Sequence, residues 1–259
     1  MKKPYVVPNI ITALGLSIGL FVIFKTAMFD PSLEAKTLLL RSALLIMLAA
    51  CVDVLDGFVA RCLKGESLFG MNFDSLSDAI TFGVAPSVLF IKTFATEPGT
   101  ISYFAIFLAA MLFSLCGVLR LVRFNVSSLD EEDSKRKKIY TGLPIPAAAL
   151  SAISIQLILV SSPIKEFISV PVMGVIGAVA MILLSYLMIS LKRFASLKVI
   201  QKKVLDFKAI FFISLFMLTL SFGLMYYFEW VFFLVTWTYV IGGVVKGASN
   251  STIYGIEEE

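Results

Sequence analysis

Long apolar runs separated by short polar stretches make up most of this chain. Eight of the runs approach the length of about 20 residues that a helix needs to cross a bilayer. They cover residues 6–24, 37–60, 74–95, 101–122, 143–162, 167–191, 208–227 and 229–245. The pattern predicts an all-α fold, a polytopic transmembrane bundle of eight helices. Only "YYFEW" separates the last two runs, which favours a tight helical hairpin there.

The composition supports lipid as the main solvent of the chain. Hydrophobic residues make up 59% of the 259 residues and charged residues 15%, whereas a soluble domain has about 45–50% and about 25%. No small-residue cleavage site follows the first run, so we interpret it as a helix and not as a cleaved signal. The 3 cysteines show no metal-binding spacing, and histidine is absent. Carboxylates, hydroxyls and lysines must therefore carry any acid–base or metal chemistry.

The basic residues predict the orientation in the membrane. If both termini are cytoplasmic, 17 of the 22 Lys and Arg residues face the cytoplasm, in agreement with the positive-inside rule. The other five are Lys25, Lys36, Arg41, Lys92 and Lys165. The basic loops 123–138 and 192–208 would attract anionic lipid headgroups, and topology explains them without a nucleic-acid partner. We expect an integral, multi-pass protein of the inner cell membrane, surrounded by membrane lipids.

Four aspartates interrupt the apolar pattern within a stretch of 26 residues. Asp53 and Asp56 are three apart near the cytoplasmic end of the second predicted helix, so they share one face. Asp74 and Asp78 are four apart at the cytoplasmic start of the third, and they also share a face. A carboxylate in or near hydrocarbon is costly and usually marks a functional site.

The connection between these two helices, residues 62–73, is short, and we expect it to turn at Gly65 and Gly70. Two adjacent antiparallel helices would then point both pairs of carboxylates into one space at the membrane boundary. Four clustered carboxylates repel one another unless cations neutralise them, and the hard ions Mg²⁺, Mn²⁺ and Ca²⁺ prefer oxygen ligands. The spacing therefore predicts a divalent-metal site at the cytoplasmic edge.

Small and basic residues follow the second aspartate. Gly57 and Ala60 would let a ligand or a helix approach the backbone closely, and Arg61 offers a fixed cation suited to a phosphate. With the carboxylates and a metal, they are typical of phosphoryl transfer. Two other interpretations remain. The aspartates would cap helices and pair with Arg61 and Lys64, or they would serve an ion-coupled transporter, whose sites tend to lie at the bilayer midplane.

The stretch resembles the signature of the CDP-alcohol phosphatidyltransferase family at every fixed position. The matching pattern is Asp53-x2-Asp56-Gly57-x2-Ala60-Arg61-x8-Gly70-x3-Asp74-x3-Asp78. Three further stretches, "VPNIITALGL", "FDSLSDAITFGVAPS" and "RLVRFNV…YTGLPIPAAA", are similar to the branch of the family that uses L-serine. The resemblance covers about residues 4–190. One departure is Thr81, where this branch is expected to have serine; threonine keeps the hydroxyl.

The resemblance implies a six-helix core, usually homodimeric, and the chain adds two C-terminal helices. Residues 1–191 would form the CDP-alcohol phosphatidyltransferase membrane domain, and residues 192–259 a basic loop, a helical hairpin and an acidic tail. The core would hold two divalent ions, Mg²⁺ or Mn²⁺, with Ca²⁺ as a non-catalytic occupant.

The same resemblance assigns roles to individual residues. The implied metal ligands are Asp53, Asp56, Asp74 and Asp78. The residues implied to lie against the cytidine and diphosphate are Gly57, Ala60, Arg61 and Gly70. The implied reaction transfers the phosphatidyl group of CDP-diacylglycerol to the hydroxyl of L-serine by metal-assisted direct displacement, giving phosphatidylserine and CMP. A base must take the hydroxyl proton, and Asp78 is our candidate because the chain has no histidine.

The acceptor is the least constrained part of this prediction. Free serine needs a fixed cation for its carboxylate, and the candidates for its pocket are Thr81, Arg120, Arg123, Asn125 and the turn "TGLPIP". The two arginines would otherwise be positive-inside anchors. Glycerol 3-phosphate or an inositol phosphate remains an alternative acceptor, although a phosphate should demand more arginines. A metal-ion transporter would need carboxylates along a path through several helices, and the later spans are almost free of acids.

Overall fold

The computed structural model describes residues 6–28, 35–62, 67–95, 98–130, 142–190 and 227–254. Every regular element in these ranges is helical. The elements are α1 (Val6–Ala27), α2 (Ala35–Cys62), α3 (Leu68–Asp78), a π-helical turn (Ala79–Val84), α4 (Ala85–Phe94), α5 (Ile101–Asp130), α6 (Ile145–Leu159), α7 (Ser162–Lys165), α8 (Val170–Ile189) and α9 (Phe228–Tyr254).

Six of these helical segments are long and apolar enough to cross a membrane. They are Pro8–Ala27, Ala35–Gly57, Leu68–Phe94, Ile101–Val126, Val170–Ile189 and Phe228–Val245. The predicted polytopic helical membrane protein is therefore confirmed. The fifth predicted span is the shorter apolar helix α6, which has 15 residues. The seventh predicted span, residues 208–227, lies outside the described residues, so the total of eight helices and the C-terminal hairpin stay predictions.

Helix α6 forms the centre of the bundle. It packs against α2, α4, α8 and α9, and most of its residues are buried, from Ile145 to Leu159. A helix that is apolar on all sides fits such a position. The surrounding helices instead expose large apolar side chains, which lipid would cover in a membrane. Examples are Leu14, Phe21, Leu44, Leu48, Leu108, Met111 and Leu115.

Helix α3 begins six residues earlier than predicted. Ser67 is its N-cap, and the Ser67 hydroxyl accepts a 3.0 Å hydrogen bond from the backbone N–H of Gly70. The prediction of a turn at Gly70 is therefore wrong, because this glycine lies in the first turn of a capped helix. A Cβ at Gly70 would lie 3.2 Å from the side-chain oxygen of Asn9 on α1, so the close α1–α3 approach explains the glycine better than a turn. Gly65 lies outside the described residues.

The π-helical turn follows directly after Asp78 and lies within the third span, Leu68–Phe94. The carbonyl of Gly83 in this turn accepts hydrogen bonds from the hydroxyls of Ser87, at 3.0 Å, and Ser114, at 3.2 Å. These hydroxyls connect the turn to α4 and α5. On the other side of the turn, a Cβ at Gly19 of α1 would collide with Thr81. The turn is thus held between α1 and α5.

Candidate active site

A cavity lies between α1, α2, α3 and the π-helical turn. It encloses about 210 Å³ of empty space, including its open mouth. Its lining contains all four aspartates of the sequence pattern, together with small, hydroxyl and apolar residues from the same elements. The lining residues are Thr12, Gly15, Ala49, Val52, Asp53, Asp56, Asp74, Ser77, Asp78, Thr81 and Phe82.

Three of the aspartates converge within this cavity. One carboxylate oxygen from each of Asp53, Asp56 and Asp74 lies within 4.8 Å of the others. Three carboxylate oxygens at this separation form a donor set that suits a hard divalent cation. Asp78 lines the same cavity but is not part of this group of three. The arrangement also shows that Asp74 does not cap a helix, because it lies about two turns into α3.

The Asp56 carboxylate is buried and receives a hydrogen bond that the sequence did not suggest. Thr12 on α1 donates from Oγ1 to Asp56 Oδ2 at 2.7 Å. Asp56 is 6% exposed and Thr12 is also 6% exposed, and a buried carboxylate is costly unless it is hydrogen-bonded. The backbone carbonyl of Thr12 in turn lies 3.4 Å from the donor hydroxyl of Ser77 on α3. Thr12 of α1 thereby connects α2 and α3, the two helices that carry the aspartates. The sequence marks this residue only as a polar side chain within an apolar run.

Asn125 and Arg123, both predicted in the acceptor pocket, each form hydrogen bonds with other residues of the protein. Asn125 donates from Nδ2 to the Ser75 hydroxyl at 2.9 Å and so ties α5 to α3 beside Asp74. Arg123 donates to the backbone carbonyls of Ile189, at 2.7 Å, and Met188, at 3.4 Å, which end α8. A guanidinium at a helix C-terminus stabilises unpaired carbonyls. Acceptor binding by these two side chains stays a prediction.

The turn "TGLPIP" is held at this same end of α8. Gly142 has a φ of +83°, a left-handed backbone conformation that favours glycine, and a Cβ there would collide with the carbonyl of Met188. The N–H of Leu143 donates to the carbonyl of Leu187 at 3.0 Å. The turn therefore anchors the start of α6 to α8. Thr141, its first residue, lies outside the described residues.

Arg120 interacts with one of the four aspartates. Its guanidinium interacts electrostatically with Asp78 on α3 and with Arg123. Its Nε is buried and has no hydrogen-bond partner among the described residues. Thr81 is comparable, since it is 1% exposed and its Oγ1 also lacks a partner in the described ranges. Both side chains keep hydrogen-bonding capacity beside the cavity.

Of the four residues expected to contact the nucleotide, the structure describes Gly57 and Gly70 fully and Ala60 and Arg61 only as part of α2. A Cβ added at Gly57 would meet nothing within 4 Å, so the backbone there is open to a close approach. Ala60 and Arg61 lie in the last turns of α2, and their side chains lie outside the described residues. Gly70 packs against α1, as described above. Nucleotide binding by these residues stays a prediction.

Comparison with known proteins adds an independent observation. The sequence model of the CDP-alcohol phosphatidyltransferase family matches residues 5–184. The match contains α1 to α7, all but the last five residues of α8, and the four aspartates.

Individual relatives are similar over a shorter region. A CDP-diacylglycerol–serine O-phosphatidyltransferase of Methanocaldococcus jannaschii is 36% identical over 150 residues, which is 58% of this chain and 60% of that protein. An archaetidylserine synthase of Methanothermobacter thermautotrophicus is 40% identical over 58% of this chain and 57% of its own length. A CDP-diacylglycerol–serine O-phosphatidyltransferase of Helicobacter pylori is 34% identical over 56% of this chain and 55% of its own. The chain thus spans little more than half the length of these curated relatives.

Proposed function

Because the chain belongs to the CDP-alcohol phosphatidyltransferase family, we propose that it transfers the phosphatidyl group of CDP-diacylglycerol to the hydroxyl of L-serine, releasing CMP. The observation that carries this proposal is the convergence of Asp53, Asp56 and Asp74 in one cavity that Asp78 also lines. The names of the relatives, which are serine transferases and an archaetidylserine synthase, support serine as the acceptor.

Divalent metal binding is part of this proposal. Asp53, Asp56 and Asp74 would hold the ions, with Asp78 as a further ligand, because their oxygens suit Mg²⁺ or Mn²⁺. Two ions follow from the family resemblance, with Ca²⁺ as a non-catalytic occupant. A bound divalent ion stabilises negative charge that develops on phosphoryl oxygens. The hydrogen bond from Thr12 fixes the orientation of the Asp56 carboxylate in this set.

Asp78 would remove the proton of the acceptor. A serine hydroxyl has a pKa far above 7, so a base within hydrogen-bond reach assists its attack. In the proposed step the serine oxygen forms a bond to the lipid-linked phosphorus, the bond from that phosphorus to the CMP oxygen breaks, and the proton passes to Asp78. Asp78 is the aspartate of the cavity outside the group of three, which suits it to proton transfer. Phosphatidylserine and CMP result.

The substrates would meet at the cytoplasmic face of the inner membrane. The open backbone at Gly57 suits the cytidine and diphosphate side, with Ala60, Arg61 and Gly70 as further contacts by family analogy. The acyl chains would stay in the bilayer that surrounds the apolar helices. The bias of basic residues supports cytoplasmic termini and a cytoplasmic site. A homodimer follows from the family resemblance.

The hydrogen-bonding environments of Arg120 and Arg123 favour serine over a phosphorylated acceptor. Arg123 already binds the carbonyls at the end of α8, so Arg120 is the described cation beside Asp78 with hydrogen-bonding capacity left at Nε. One guanidinium matches one carboxylate, whereas glycerol 3-phosphate or an inositol phosphate carries more negative charge. Glycerol 3-phosphate transfer is the second candidate, because the aspartate site itself would serve either acceptor.

A metal-ion transporter finds less support in the described residues. Glu229 on α9 pairs with Lys36 at the start of α2, at 2.5 Å, and Glu166 is exposed beside α7. Neither carboxylate continues a path from the aspartates through the bundle. The acidic site therefore suits chemistry at one edge better than passage across the membrane.

Release of CMP tests the proposal. Purified protein is incubated with CDP-diacylglycerol and Mn²⁺ or Mg²⁺, and CMP is measured with L-serine, glycerol 3-phosphate, an inositol phosphate or no acceptor. We expect CMP release that depends on L-serine, and product lipid that contains the serine. Release with glycerol 3-phosphate alone would establish the second candidate, and no release with any acceptor would contradict the proposed function.

A further inference from the structure

Two serine hydroxyls from different helices meet at the π-helical turn. Ser87 of α4 and Ser114 of α5, the serine pair, reach the carbonyl of Gly83 at 3.0 and 3.2 Å, and their own oxygens lie 2.9 Å apart. Both also reach the carbonyl of Ala110 on α5, at 3.0 and 3.2 Å. Because each hydroxyl has one proton, either serine can bond the carbonyl of Gly83 while the other bonds that of Ala110.

The backbones of the turn and of α5 approach each other closely beside the serine pair. A Cβ at Gly117 of α5 would lie 3.9 Å from the Cα of Gly83, and a Cβ at Gly83 would lie 3.9 Å from the carbonyl oxygen of Ser114. Ser87 is 4% exposed and Gly83 is also buried. The hydroxyls therefore bond the turn away from solvent, where a hydrogen bond is stronger than in water.

The backbone of this turn is continuous with that of Asp78. A π-helix pairs each carbonyl with the N–H five residues later, as the carbonyl of Ile80 pairs with the N–H of Ala85. Asp78 is the residue directly before the turn, and the same spacing pairs its carbonyl with the N–H of Gly83. The residue whose carbonyl the serine pair bonds is thus the backbone partner of Asp78.

The turn carries one side of the cavity, and two other helices carry the other side. The converging aspartates Asp53, Asp56 and Asp74 lie on α2 and on α3 before the turn. Asp78 and Thr81 line the cavity from the end of α3 and from the turn itself. Thr81 is 1% exposed, and its Oγ1 has no hydrogen-bond partner among the described residues. A change in the turn should therefore displace the base and this hydroxyl before it displaces the three converging carboxylates.

We propose that the serine pair positions the acceptor side of the active site through the π-helical turn. By bonding the carbonyl of Gly83, the two hydroxyls fix the backbone that carries Asp78 and Thr81. The inference rests on the proposed function, in which Asp78 takes the proton of the acceptor. The described lining of the cavity includes neither serine, so both act through the turn and not by contact with substrate. Single π-helical turns occur frequently at functional sites, in agreement with this role.

Removal of both hydroxyls tests the inference. Ser87→Ala/Ser114→Ala should lower kcat/KM for L-serine by roughly 10- to 100-fold, the scale on which a small misplacement of catalytic groups acts. The Mn²⁺ concentration for half-maximal CMP release and the KM for CDP-diacylglycerol should stay at the wild-type values, because the converging aspartates lie before the turn. Each single variant should remain close to the wild type, since the other hydroxyl still reaches the same carbonyl. The loss in the double variant therefore exceeds the combined losses of the single ones.

The matched control is Ser151→Ala/Ser185→Ala. These two buried serines bond carbonyls of their own helices, at Ala147 and Met181, and their loss should leave kcat/KM for L-serine unchanged. If the alanine pair does not accumulate in the membrane, Ser87→Ala/Ser114→Cys decides by the same measurements, because a thiol of similar size is a weaker donor.

Three results would overturn the inference: an unchanged kcat/KM for L-serine in the double variant, an equal loss in the control pair, or a rise of the Mn²⁺ requirement that accompanies the loss. Wild-type protein that releases no CMP with any acceptor would instead refute the proposed function. If the wild type uses another acceptor, the same comparison is made with that acceptor, so the two failures remain distinct.

Discussion

The hydroxyl of Thr12 on α1 donates a 2.7 Å hydrogen bond to the carboxylate of Asp56 on α2. This contact joins residues that are 44 positions apart in the sequence. Both side chains are buried at the cavity that contains the three converging aspartates. The relationship makes α1 a support of the acidic site and leads directly to a test.

Thr12→Val should weaken metal binding without unfolding the protein, because valine keeps the shape and removes the hydrogen bond that orients Asp56. Loss of a hydrogen bond to a metal ligand typically costs about 10- to 100-fold in metal affinity or activity. The Mn²⁺ concentration for half-maximal CMP release should rise accordingly. Thr26→Val is the matched control, since Thr26 is a buried threonine of the same helix whose hydroxyl, among the described residues, bonds the carbonyl of Val22 in its own helix. Equal metal requirements in the two variants would contradict this role of Thr12.

Asp56→Asn and Asp74→Asn should each abolish transfer while the protein remains folded in the membrane. The amide keeps the volume of the side chain but loses the charge that a hard cation requires. Turnover at saturating Mg²⁺ or Mn²⁺ is the measurement, with Glu166→Gln as a control because Glu166 is an exposed acid away from the cavity. Near-normal turnover of both aspartate variants would refute their assignment as metal ligands.

Gly19→Ala should destabilise the contact between α1 and the π-helical turn, because a Cβ at Gly19 would collide with Thr81. Overpacking of this kind typically costs about 1–3 kcal/mol. The matched control is Gly242→Ala on α9, where a Cβ would meet nothing within 4 Å. A lower thermal midpoint is expected for Gly19→Ala alone. A thermal midpoint that falls equally in both variants would contradict the close contact between Gly19 and Thr81.

The orientation in the membrane is tested by labelling. The three native cysteines, Cys51, Cys62 and Cys116, are first replaced by serine or alanine. Single cysteines at positions 137 and 202 should then react with an impermeant reagent only from the cytoplasmic side, and a cysteine at position 97 only from the other side, because 17 of the 22 basic residues favour that arrangement. Labelling of positions 97 and 137 from the same side would contradict the eight-helix topology.

Local patterns predicted most of the helices and the acidic cluster. Asp53 and Asp56 share a face because their spacing of three matches the helical repeat, and Asp74 joins them in the structure. The start of α3 was predicted too late, because Gly70 suggested a turn while the cap at Ser67 carried the decisive information. The close contact between Gly19 and Thr81 could not be predicted from the sequence, since it depends on how two separate helices pack.

The long-range polar contacts were the other part that the sequence did not reveal. Thr12 is an ordinary polar residue in an apolar run until the fold brings it to Asp56. Arg123 matched the chemistry of an acceptor ligand equally well, but the fold places it at the carbonyls that end α8. The π-helical turn likewise accepts a hydrogen bond from Ser114, a residue of another helix. Each of these features is set by tertiary contacts and not by local propensity.

The most direct test of the account compares Asp78→Asn with the wild type and with Asp56→Asn, measuring turnover beside calorimetric binding of Mn²⁺ and CDP-diacylglycerol. If Asp78 mainly removes the acceptor proton, and its metal contact is secondary to those of the other three aspartates, Asp78→Asn keeps binding close to that of the wild type and loses turnover by about 10²- to 10⁴-fold, the usual contribution of a general base. Asp56→Asn should lose metal binding and turnover together. Metal affinity that Asp78→Asn loses as completely as Asp56→Asn would contradict the account, because Asp78 would then be primarily a ligand and the base would lie elsewhere.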